Sequence, residues 1–191
     1  MVRGITKQAW VFVILGAFWI LAACGNQAPL VYATVADASL NPGNSVPSPT
    51  GEVILNLSGK IGVKNDGNAL VFDMATLERF GLVEYKIADP WESKDVTYTG
   101  VLMSELIKYA GASASVTTIH MTALDNYEVD ITIEDINKWP VLLATRTDGA
   151  YMDVDNGGPT RIIFPFGTDP EIEDLVYKNL SIWNIVTMEF R

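Results

Sequence analysis

One cysteine and one histidine stand in a chain of 191 residues, and those two scarcities close off much of the chemistry that side chains carry. With Cys24 as the sole thiol, no disulfide can form within the chain, and a cysteine-rich metal site lacks its ligands. His120 cannot build a histidine cluster or complete a Ser-His-Asp triad with parts to spare. Set between Ile119 and Met121 on a strand-like run, it reads as a structural residue. Basic residues are short as well: 13 Lys and Arg face 23 Asp and Glu, a net charge of −10 that argues against nucleic acid as a partner. The same acidity repels anionic lipid, so attachment to a membrane needs a device other than the protein's charge.

Long apolar runs are also scarce. The most prominent, Ala9 to Leu21, falls short of the ~20 residues of a membrane span and carries Gly16 within it. It opens behind Arg3 and Lys7 and ends in Leu21-Ala22-Ala23-Cys24, the charged, apolar and small-residue order of a secretory signal. The ending resembles the bacterial lipobox, which implies cleavage before Cys24, diacylation of its sulfur and an extracytoplasmic lipoprotein held at the membrane by its acyl chains. Residues 1–23 are then signal peptide. Their removal takes Arg3 and Lys7 from the 13 basic residues, leaving 168 residues with a charge of −12. That length suits one domain.

Residues 24–51 are rich in Asn, Pro, Ser, Gly and Ala, with Asp37 as their one charge, and read as a flexible tether. The folded domain is expected over 52–191. Val53 to Leu57 is strand-like, the turn Asn65-Asp66-Gly67-Asn68 precedes a second run from Ala69 to Phe72, and Asp73 is placed to cap a short helix, Met74 to Phe80, that Gly81 ends. Val101, Leu102, Leu106 and Ile107 recur at helical spacing up to Gly111. Beyond it lie branched and aromatic runs at 116–124, 127–133, 141–147, 160–164 and 183–190, divided by turns at Asp125-Asn126, Asp148-Gly149 and Asn156-Gly157-Gly158-Pro159. Few helices and many strands make an α+β domain with a largely β core.

The segment Tyr98-Thr99-Gly100-Val101-Leu102 is followed by Ala123-Leu124-Asp125-Asn126-Tyr127, Asp148-Gly149, Gly157-Gly158-Pro159-Thr160-Arg161 through Pro165, and Ile182-Trp183. In that order and spacing these pieces resemble the oxidoreductase molybdopterin-binding domain, the fold of sulfite oxidase, over roughly residues 52–190. The resemblance implies a site near a loop tryptophan, matched here by Trp91. In catalytic members a cysteine thiolate a few residues earlier binds molybdenum. That position falls near Ile87, in Lys86-Ile87-Ala88-Asp89, which offers no thiolate. Enzymes of the family also cross the membrane folded, behind a twin-arginine signal, whereas here Arg3 is followed by Gly4. No cofactor is therefore expected, and molybdopterin is the alternative.

The resemblance places Asp125, Asn126 and Tyr127 at the cofactor cleft, with Arg161 after Gly158-Pro159 as a positive charge for an anionic group. Trp91, Asp125, Asn126, Tyr127, Gly158 and Arg161 are thus the ligand-binding candidates, against a plain reading of turn chemistry and packing aromatics that also covers Trp139 and Trp183. Asp153 and Asp155 beside Asp148 lack the closing Glu of an EF-hand and read as solvated turn residues. Asn156-Gly157-Gly158 has no Lys or Thr in P-loop register. The expectation is a membrane-anchored binding module for a small ligand or an envelope protein. Its rivals are a molybdopterin-dependent oxidoreductase with a non-cysteine metal ligand or pterin alone, and a structural or assembly partner in an envelope complex.

Overall fold

Inward and outward positions alternate in several strands, most regularly in those of one sheet. In the computed structural model, which describes Met1 and residues 32–191, β6 (Thr118–Ala123) buries Ile119, Met121 and Ala123 and turns Thr118, His120 and Thr122 outward. The expected signal peptide beyond Met1, the expected lipidation site Cys24 and the rest of the stretch to residue 31 lie outside the described residues. No helix among the described residues is long and apolar enough to cross a membrane.

Eleven described strands form two sheets. The first orders β1 (Ala33–Ala36), β4 (Leu82–Asp89), β5 (Lys94–Leu102), β8 (Leu142–Thr147) and β10 (Arg161–Ile163), with β9 (Ala150–Tyr151) also on β8. The second orders β3 (Leu70–Phe72), β2 (Leu55–Gly59), β11 (Ile185–Phe190), β6 and β7 (Glu128–Thr132); only β2 and β11 run parallel. One core draws on both, from Leu55, Ile119 and Met188 of the second sheet to Ile87, Tyr98 and Leu143 of the first. The mostly β, few-helix architecture agrees with the α+β expectation.

Local chemistry explains the helix ends. Asp73 caps α1 (Met74–Leu77) by accepting the Thr76 N–H at 2.8 Å, a 3-10 turn follows over Glu78–Phe80, and Gly81 stops it at φ 88°. Thr132 caps α3 (Ile133–Lys138) through the Asp135 N–H, so Ile133 opens a helix rather than closing the expected strand. The helix expected from Val101 begins two residues later as α2 (Met103–Tyr109), since Val101 and Leu102 pair with Leu143 and Leu142 in the sheet. Buried strand ends and buried helix starts share one apolar pattern. α4 (Leu175–Leu180) follows a 3-10 turn at Pro170–Glu173.

The domain starts earlier than Glu52. β1 pairs antiparallel with β4, Leu40 and Val46 are buried, the Tyr109 hydroxyl donates to Leu40 O at 2.9 Å, and Asp73 accepts the N–H groups of Thr50 and Gly51. The small, polar composition of this stretch hides it from a reading by hydrophobic pattern, but side chains elsewhere in the chain tie it down. Residues 33–51 are therefore part of the fold and not a free tether.

Candidate functional site

β4 and β5 form a long hairpin with Ala88 opposite Asp95 and Asp89 opposite Lys94. Asp89 ends β4 almost completely buried, and its Oδ1 accepts the N–H groups of Trp91 and Glu92 at 2.8 and 2.7 Å. This shapes the turn that carries Trp91 behind Pro90. The other oxygen, Oδ2, accepts the Tyr98 hydroxyl at 2.6 Å. Tyr98 in turn accepts from Arg161 Nη1 at 3.0 Å, and Arg161 Nη2 lies 3.8 Å from Asp89 Oδ2, an ion pair too long for a hydrogen bond.

Arg161 enters on β10, which the Tyr85 hydroxyl ties to β4 by donating to Ile163 O at 2.9 Å. It is 5% exposed, and burial draws its pKa below the ordinary arginine value, opposed by Tyr98 and Asp89. Burial likewise raises the pKa of Tyr98, so its phenol stays protonated and holds its donor on Asp89. Aromatic faces surround the guanidinium, whose carbon lies 4.3 Å from the ring centroid of Trp183, 4.8 Å from that of Trp91 and 5.4 Å from that of Tyr98. Nε and Nη2 of Arg161 have no hydrogen-bond partner among the described residues.

Asn184 fixes the Trp183 loop beside this arginine by donating from Nδ2 to Val154 O and Gly158 O at 2.7 and 2.6 Å. Gly157 is favoured there by its φ of 83°, a backbone conformation that side chains rarely adopt, and it packs against the Trp183 ring. Gly158 is tighter still, since a Cβ would fall 2.1 Å from Met152 O. The Trp91 and Trp183 rings stand edge to face with centroids 5.8 Å apart.

Two clefts meet at Trp183. One, of about 400 Å³, is lined by Glu92, Lys94, Tyr98, Tyr151, Asp155 and Arg161 among others. The other, of about 250 Å³, is lined by Trp91, Asp125, Tyr127, Lys178, Asn179 and further residues. The expected ligand set is thus divided. Arg161 opens on the first cleft, while Trp91, Asp125 and Tyr127 line the second. Asn126 is at the turn with φ 66°, and Gly158 supports the Trp183 loop from behind. Asp125 accepts the Tyr127 N–H, and the Tyr127 hydroxyl donates to Asn179 O at 3.0 Å. His120 hydrogen-bonds Asp130 at 2.9 Å on the outer face of the second sheet, away from both clefts. Asp153 caps the 3-10 turn Val154–Asn156.

Asp89 and Tyr98, which make the buried scaffold of the site, were not among the expected residues. The signal was an acid two residues before a loop tryptophan, set against a tyrosine that reads as core. Ile87, at the expected thiolate position, is 2% exposed and belongs to the core. Among the described residues no three His, Cys, Asp or Glu side chains are grouped to hold a metal ion.

A family model described as the oxidoreductase molybdopterin-binding domain matches residues 69–168. Among solved structures, the chain is similar to the sulfane dehydrogenase SoxCD from Paracoccus pantotrophus, with 17% identity, a TM-score of 0.53 and 71% of this chain covered. The chain spans 37% of the length of that protein, so the likeness concerns the fold of one part. A comparison with curated protein sequences found no match.

Proposed function

The chain belongs to the oxidoreductase molybdopterin-binding domain family, and from that membership we propose that it is a non-catalytic member, a lipoprotein anchored through Cys24 on the extracytoplasmic side of a membrane, that binds a small ligand beside Arg161. The domain retains the family's fold, and the family's cofactor is molybdopterin. The side chains present do not fit the metal of that cofactor. A soft thiolate ligand has no counterpart where Ile87 packs into the core, and the acid beneath Arg161, Asp89, has both carboxylate oxygens engaged.

The observation that carries the binding reading is the edge of Arg161 left without a partner. A buried guanidinium with unmet donors is costly, and acceptor atoms of a ligand remove that cost. What this chain's residues do is hold that donor edge. Tyr98 and Asp89 orient the guanidinium and offset its charge, and Trp91 and Trp183 exclude water from it.

The anchor follows from the sequence: a charged start, an apolar run and Leu-Ala-Ala-Cys. On this account residues 1–23 are removed and the lipid on Cys24 holds a domain whose acidity would not bring it to an anionic surface. Two experiments test the proposal. Cys24→Ser should abolish incorporation of labelled palmitate and release the protein from the membrane fraction; retention of both would refute the anchor. Native mass spectrometry of the protein from its host envelope should show a stoichiometric small-molecule adduct that Arg161→Lys weakens. An adduct indifferent to that change would refute the site.

A further inference from the structure

The atoms of Arg161 that make no hydrogen bond are Nε and Nη2, the latter 3.8 Å from Asp89 Oδ2, while Nη1 is held by Tyr98. Nε and Nη2 together form the side edge of the guanidinium, two parallel N–H donors spaced for the two oxygens of one carboxylate. The charges around it select among oxyanions. Lys94 is the other cation lining the first cleft, opposed by Glu92 and Asp155; Lys178 in the second is opposed by Asp125, and Asp89 lies beneath the arginine. Such a balance disfavours a dianion such as phosphate. The faces of Trp91, Trp183 and Tyr98 offer apolar and aromatic contact to whatever body the anion carries.

Resting on the binding reading above, we infer that the Nε–Nη2 edge of Arg161 seats the carboxylate of a small monoanion with an apolar or aromatic body, admitted when the Trp91 side chain turns aside. Trp183 is the fixed wall, packed on Gly157 and held through its neighbour Asn184. Trp91 is the movable one. It stands on the hairpin turn, has the guanidinium over its ring, and lines the second cleft. Its backbone stays in place because Asp89 holds the turn through the N–H groups of Trp91 and Glu92, so a side-chain rotation suffices.

The test titrates the full chain in detergent with benzoate and, separately, with inorganic phosphate, reading the indole N–H signals of Trp91 and Trp183 by NMR. Those signals are assigned from Trp91→Phe and Trp183→Phe. Saturable benzoate shifts at both indoles are expected, with phosphate weaker. Arg161→Lys keeps the charge and loses the paired donors, and should weaken benzoate by about tenfold or more, with the remaining indole signals still dispersed as proof of folding. Tighter binding of phosphate, unchanged benzoate affinity in Arg161→Lys, or no saturable shift overturns the inference. Metal or pterin in the native protein would instead overturn the non-catalytic reading, so the two failures are distinguishable.

Discussion

Tyr98 donates its phenol to Asp89 at 2.6 Å across the β4–β5 hairpin and accepts Arg161 through the same oxygen. One hydroxyl thus joins the acid and the base of the site, all three side chains being buried. Tyr98→Phe should leave Asp89 Oδ2 and Arg161 Nη1 without this partner and destabilise the fold by about 1–3 kcal/mol. Urea unfolding measures it, and a variant as stable as the parent would show the triad to be loosely coupled.

Asp73 predicts a pH dependence. The hydrogen bonds from Thr76 and Gly51 hold its carboxyl well below the usual carboxylate range, outweighing the opposing effect of burial. A folded pKa below the unfolded value of about 4 contributes stability that is present above that pH and lost as the pH falls toward the folded value. In Asp73→Asn the stability deficit should therefore be full at pH 7 and shrink below pH ~4. Urea midpoints for both proteins at neutral and acid pH check this, and a deficit that is constant with pH would contradict it.

At Gly100 the sheet closes with no room for a side chain. A Cβ there would lie 2.1 Å from Leu143 O and 2.6 Å from the Cα of Ala144, where the β5–β8 register shifts. Gly100→Ala should cost about 2–3 kcal/mol or more, because backbone rather than a flexible side chain must yield. Thermal unfolding reads the loss.

Ile87→Cys, made with Cys24→Ser, asks where that position faces. Packed in the core, the new thiol should react with a disulfide reagent only slowly in the folded protein and at full rate in urea. Fast reaction in the folded state would mean that position 87 reaches a cleft after all.

Much of this was legible in the sequence where a local rule governs a local shape. Asp73, Gly81 and the Asp66-Gly67 turn end or start elements as their side chains dictate, and period-2 patterns gave most strands of the second sheet. Tertiary contacts decided the rest. Ala33–Ala36 carry no hydrophobic pattern and became a strand because β4 offered an edge. Arg161 and Trp91 were expected in one pocket with Asp125 and Tyr127, yet the Trp91–Trp183 pair stands between two clefts. Asp89 and Tyr98 escaped notice because a strand-end acid and a core tyrosine look ordinary until folding sets them 2.6 Å apart.

The most direct test of the central claim is elemental analysis for molybdenum, with an acid-oxidation fluorescence assay for pterin, on protein purified from its own host's envelope. The account predicts neither at stoichiometric level, since Ile87 supplies no thiolate and the free donors of the site belong to Arg161. Stoichiometric molybdenum or pterin would contradict it and return the chain to the enzymes of its family.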